Sequence, residues 1–114
     1  MTVSLNGYNE QAATFLSAAQ ISKGKSVKLS ANMTVSETAN GNAFIGFCLD
    51  CKDGIATVQL SGHYRAAYSG TAPTLGKIYL AADSAGGVKV GDSTGTSCLA
   101  VSVDTVNKTV DFIF

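Results

Sequence analysis

Charge is scarce in this sequence. Only 14% of its 114 residues are Asp, Glu, Lys or Arg, against roughly 25% in ordinary soluble domains. Eight basic and eight acidic side chains cancel to a formal net charge of zero. A neutral surface lacks the mutual repulsion that holds small proteins apart, so association is expected. The lack of a basic excess argues against non-specific nucleic-acid binding, because that binding rests on neutralising phosphates. Tryptophan is absent, and the four tyrosines, Tyr8, Tyr64, Tyr68 and Tyr79, are too scattered to assemble a sugar-stacking platform. No apolar run approaches the roughly 20 residues that span a bilayer. A charged n-region followed by an apolar h-region is also missing, so neither membrane insertion nor export is expected. Three cysteines, Cys48, Cys51 and Cys98, are an odd number for a secreted disulfide framework, which points to synthesis in a reducing cytoplasm.

What the chain does have is a pattern that occurs twice. Phe44-Ile-Gly-Phe-Cys-Leu-Asp50 matches Cys98-Leu-Ala-Val-Ser-Val-Asp104, and after each a polar turn leads to Thr57-Val-Gln-Leu60 and Thr109-Val-Asp-Phe112. Upstream, Gly24-Lys-Ser-Val-Lys-Leu29 pairs with Gly76-Lys-Ile-Tyr-Leu80. Self-similarity of this kind fixes architecture before any short motif does. Period-two alternation with β-branched residues between Gly, Asn and Asp clusters marks strands. The expectation is an all-β fold: a small single-domain β-barrel or sandwich built from two similar four-strand halves. Residues 22–62 form the first repeat, 63–75 a connection and 76–114 the second repeat. Residues 9–21 fit either helix or strand and are read as a strand. Residues 1–8 read as an extended arm, with Val3, Leu5 and Tyr8 among polar neighbours. Such an arm suits either a terminal strand of its own domain or addition to a neighbour's sheet edge.

In the first copy Ile45, Phe47 and Leu49 share one strand face, and in the second Leu99, Val101 and Val103 do. The opposite faces carry mostly small residues. The large faces are therefore expected to form the core, with the small faces lying close to another chain segment. Each copy continues into a hairpin. Asp53-Gly54 suits a tight turn, Asn107-Lys108 relies on Asn, and the first loop is expected to be longer by two residues.

Several motifs imitate catalytic chemistry. Gly91-Asp-Ser-Thr-Gly95 matches a bare nucleophile-elbow pattern, but no helix follows it, and a turn-rich loop is the simpler reading. Cys48-Leu-Asp-Cys51 has redox-pair spacing without the helical context, and only Cys98 and His63 remain as further metal ligands. Reduced, buried thiols are expected, with no metal and no cofactor. His63, the only histidine, stands beside Tyr64 and Arg65 with no partner evident for acid/base work. Asp50 and Asp104 occupy equivalent strand ends and are read as turn caps. Among functional classes, a hydrolase using Ser93 and His63 ranks last, and a tail, fibre or carbohydrate-binding β module remains an alternative to a structural role.

The order of motifs resembles the bacteriophage capsid cement, or decoration, protein family. Thr14-Phe15, Ser22-Lys-Gly-Lys-Ser-Val-Lys-Leu-Ser30, Phe44-Ile-Gly-Phe47, Thr57-Val-Gln-Leu-Ser-Gly62, Leu99-Ala-Val-Ser-Val103 and a terminal apolar strand carry the likeness over nearly the whole chain from about residue 9. The resemblance implies a non-enzymatic virion component, made in the host cytoplasm, that binds the major capsid protein on the head exterior and assembles as a homotrimer. Contacts are expected where the halves differ. Those places are the arm (Val3, Leu5, Tyr8), the first hairpin turn (Lys52, Asp53) and the connection (His63, Tyr64, Tyr68).

Overall fold

A computed structural model describes residues 11–114, and among them every regular element is a strand. The first five are β1 (Gln11–Ser17), β2 (Ser26–Ala31), β3 (Thr34–Glu37), β4 (Gly46–Lys52) and β5 (Ile55–Ser61). The second five are β6 (His63–Ala67), β7 (Gly76–Ala82), β8 (Val88–Val90), β9 (Thr96–Asp104) and β10 (Thr109–Ile113). Strands β1-β3-β2-β4-β5 form a closed barrel, with β5 pairing back onto β1. The second sheet runs β6-β10-β9-β7-β8, and a single parallel bridge from Tyr68 to Val88 joins its two ends. With β1 to β5 matched in turn to β6 to β10, the strand order is the same in both halves.

The all-β class and the two similar halves hold, and each half has five strands rather than four. The added members are β1, which makes Gln11–Ser17 a strand, and β6, which occupies the start of the expected 63–75 connection. They escape a repeat search because Gln-Ala-Ala-Thr-Phe-Leu-Ser and His-Tyr-Arg-Ala-Ala share no side-chain pattern. Only their pairing is equivalent. The parallel contact of Ser17 with Val35 has its counterpart in that of Tyr68 with Val88.

Registers explain how two copies of one pattern come to bury different faces. Asp50 pairs with Thr57 and Asp104 with Thr109, so the repeats match at that point. In the first copy the extra residue of a β-bulge is Leu49, between the Cys48 and Asp50 pairs. In the second it is Val101, between Ala100, which pairs with Phe112, and Ser102, which pairs with Asp111. A bulge shifts the alternation by one residue, which exchanges the two faces. Phe47 is consequently buried (0% exposed), whereas its repeat partner Val101 is 37% exposed. The expectation that the large face forms the core is corrected for the second copy. There Cys98 and Ala100 point inward, and Leu99 and Val101 face outward.

The expected loop lengths are also corrected. Lys52 pairs with Ile55, so the first hairpin closes on two residues, Asp53 and Gly54, with φ of 55° and 78°. These values suit the mirror-image turns that match strand twist. The second hairpin stops at Asp104 and takes residues 105–108 to return. The first copy extends its ladder past Asp50 and Thr57 by the pairs Cys51 with Ala56 and Lys52 with Ile55, which leaves its loop the shorter one.

Two cores result. Inside the first barrel lie Ile21, Val27, Val35, Cys48, Cys51, Ala56 and Val58. The second core holds Leu80, Val88, Val110 and Phe112 together with Phe44 and Phe47 from the first half. Phe47 stacks on Tyr64 with ring centroids 4.0 Å apart and meets Phe112 at 5.8 Å. Strand β4 thus sends Cys48 into one core and Phe47 into the other. Backbone bonds fasten the seam further, with the Gly41 N–H donating to Ala82 O and the Ala82 N–H to Asn42 O, both at 2.8 Å. Gly46 admits no side chain, because a Cβ there would stand 1.9 Å from the Gln59 carbonyl oxygen.

Candidate interaction surfaces

The lengthened first hairpin projects an apolar cluster. Leu16 pairs across the sheet with Ile55, and the Leu16 N–H donates to the Met33 carbonyl at 2.8 Å. Ser17 bonds the Gly54 carbonyl at 2.9 Å, which ties β1 to the hairpin tip. Three turns and strand ends converge there, and Leu16 (53%), Met33 (63%) and Ile55 (46%) remain exposed. Lys52 and Asp53 flank the cluster on the same turn and are also exposed. Apolar side chains grouped with a polar border mark contact surfaces, unlike single exposed ones. Lys52 and Asp53 lie at the hairpin turn that the sequence marks. The sequence reading missed Leu16, Met33 and Ile55, because they come from three separate segments and only the barrel closure assembles them.

The other expected contact residues do not form one surface. Tyr68 is a core residue, 6% exposed, and Tyr64 is half-buried beneath Phe47, where burial raises its hydroxyl pKa. Tyr68 is corrected to a packing role, because the residues of β6 and its continuation alternate inward, whereas Tyr64 packs on Phe47 and stays partly exposed. His63 stays near the surface of β6, with Nε2 3.8 Å from the Asp111 carboxylate. Arg65 holds the same carboxylate through Nε at 2.6 Å and through a second nitrogen at 3.1 Å. This two-pronged bond, with smaller help from His63, lowers the Asp111 pKa. Val3, Leu5 and Tyr8 lie outside the described residues.

The catalytic lookalikes have local structural partners. Ser93 is exposed in a loop where the Asp92 carboxylate accepts from the Thr94 backbone and hydroxyl, at 2.9 and 2.5 Å. Those bonds lower the Asp92 pKa. Asp104 is a turn cap as read, bonding the Val106 and Asn107 amides at 2.9 and 3.0 Å. Its pKa is lowered chiefly by Asn107. All three cysteines are free and buried. Burial raises the Cys48 thiol pKa and pushes that of Cys98 up to about 12, which leaves little reactive thiolate near neutral pH. The bulge at Leu49 also turns Cys48 and Cys51 to the same core, although an unbroken strand would set them on opposite faces.

Among the described residues, no group of three or more His, Cys, Asp or Glu side chains is placed to hold a metal ion, and no helix is long and apolar enough to cross a membrane. The fold and surfaces define an all-β protein of two five-stranded units sharing a core. Set against known proteins, the chain matches no family model, and no curated protein matches it either.

Proposed function

We propose that the protein is a structural virion component that attaches to the outer surface of a phage head by binding the major capsid protein and reinforces the shell without catalysis. The observation that carries this reading is the exposed cluster of Leu16, Met33 and Ile55 bordered by Lys52 and Asp53. Grouped apolar side chains with a polar border suit contact with another protein, and these sit beside the hairpin whose ladder extends past that of its repeat partner. The neutral, weakly charged composition supports dense assembly of many copies. On a symmetric shell, modest contacts repeated in every copy are hard to lose together. A homotrimer belongs to the same proposal, because a threefold cluster would present three tips to three capsid subunits.

Co-sedimentation with purified phage heads that lack the protein tests the reading. Binding should saturate at a fixed ratio to capsid subunits, and Leu16→Asp with Ile55→Asp should abolish it while the fold persists. Absence of saturable binding, or unchanged binding by that variant, contradicts the proposal.

A further inference from the structure

The seam between the halves contains an open strand edge. Among the described residues, strand β6 pairs only with β10, apart from the bridge of Tyr68 with Val88 at its end. Gly62 and Phe114 exchange both backbone bonds, at 3.1 and 3.2 Å, and the Tyr68 N–H donates to Lys108 O at 3.0 Å. Even-numbered residues of β6 therefore turn their backbone groups towards β10, and the odd-numbered ones turn theirs away. Of the outward groups, the His63 carbonyl accepts from Gln59 Nε2 at 3.0 Å, and the Ala67 carbonyl lies against Gly87, where a Cβ would stand 2.5 Å from it. The Arg65 N–H and C=O and the Ala67 N–H face a groove of about 280 Å³. An open row of donors and acceptors of this kind is a template for another extended chain.

The walls of the groove carry one sign of charge. Lys23 and Lys25 come from the first half and the turn Ala85 to Gly87 closes the far side; β6 contributes Arg65, whose guanidinium is already matched by Asp111, and among the described residues no carboxylate lines the groove. Asp83, the acid behind that turn, is buried and directed inward, accepting from the Ala85 and Gly87 amides at 2.9 and 2.8 Å and from Ser69 Oγ at 3.1 Å. Lys25 is already extended across the seam, its Nζ donating to the Ala85 carbonyl at 2.7 Å. Gly86 makes room for it, since a Cβ there would stand 2.3 Å from Lys25 Cδ.

We propose that this groove receives an extended acidic polypeptide segment, which adds as a strand to the open edge of β6 and sets its carboxylates against Lys23 and Lys25. Main-chain bonds to Arg65 and Ala67 supply register, and the lysines select acidic over basic sequences. The inference rests on the seam alone and is independent of the capsid reading, whose contact surface lies at the hairpin tip.

The test uses the full chain, labelled with ¹⁵N, and a capped peptide of alternating Thr and Glu long enough to form one strand. Binding should perturb the Arg65 and Ala67 amides and slow exchange of the Arg65 N–H. Lys23→Glu with Lys25→Glu should weaken binding by about tenfold or more, as should added salt. Ala67→Pro should also weaken it, because it removes an outward donor and leaves the β10 ladder intact. A peptide of alternating Thr and Lys should not bind. The proposal is overturned if the Thr-Glu peptide fails to bind at millimolar concentration or perturbs residues elsewhere. It is equally overturned if the lysine variant binds as well as the parent, or if single-stranded DNA competes as well as the peptide. Should Ala67→Pro fail to fold, the lysine variant and the Thr-Lys control still decide the matter.

Discussion

Strands β4 and β9 derive from one sequence pattern, yet β4 is buried on both faces and β9 on one. The difference follows from where each strand carries its bulge. With Leu49 as the extra residue, Phe47 turns outward from the first barrel and into the second core. With Val101 as the extra residue, the same repeat position turns to solvent. A second difference lies at the hairpins, where the β4–β5 ladder continues past Asp50 and Thr57 to Lys52 and Ile55, beside Leu16 of β1, whereas the β9–β10 ladder ends at the matching pair, Asp104 and Thr109. Duplicated units can therefore diverge in role with little change of strand order. One supplies the shared core strand and the exposed tip, and the other supplies a core that is completed from outside.

The sharpest way to break this comparison is to truncate equivalent residues. Phe47→Ala should cost about 4 kcal/mol, as large buried aromatics do, whereas Val101→Ala at the matching position should stay within about 0.5 kcal/mol. Chemical denaturation of the two variants measures both, and similar losses would refute the asymmetry. Gly46 and Ala100 offer the next contrast. Gly46→Ala forces a Cβ into the Gln59 carbonyl and should cost about 3 kcal/mol; Ala100→Gly should cost about 1 kcal/mol through strand entropy.

At the tip, Leu16→Asp and Ile55→Asp should each change stability by no more than about 1 kcal/mol, the scale of a cross-strand pair. Their effect belongs in association, read by sedimentation. The smallest effect is expected at Asp111. Its folded pKa is lowered, so its contribution to stability is present above the unfolded carboxylate pKa and is lost as pH falls through the folded value. The melting temperature of Asp111→Asn should consequently converge with that of the parent in acid and lie below it at neutral pH.

The sequence made the strand-rich class, the duplication and the Asp104 cap legible, because each is written in local alternation or turn chemistry. It concealed the bulges, since a one-residue shift leaves no mark in a run such as Phe44-Ile-Gly-Phe-Cys-Leu-Asp50, where both faces are apolar. It concealed β6 for another reason. That strand gains its identity from pairing with β10, and Tyr64 and Tyr68 looked like surface aromatics until the partner strand fixed which way they point. The tip was half legible, because a Lys-Asp-Gly turn shows in sequence and the closure that brings Leu16 and Met33 beside it does not.

The claim that β4 serves both cores predicts that neither half unfolds alone. Urea denaturation followed through the methyl resonances of Val35 and Val58 in the first core, and Val88 and Val110 in the second, tests it directly. One coincident transition for all four is the predicted result; separate midpoints for the two pairs would contradict it.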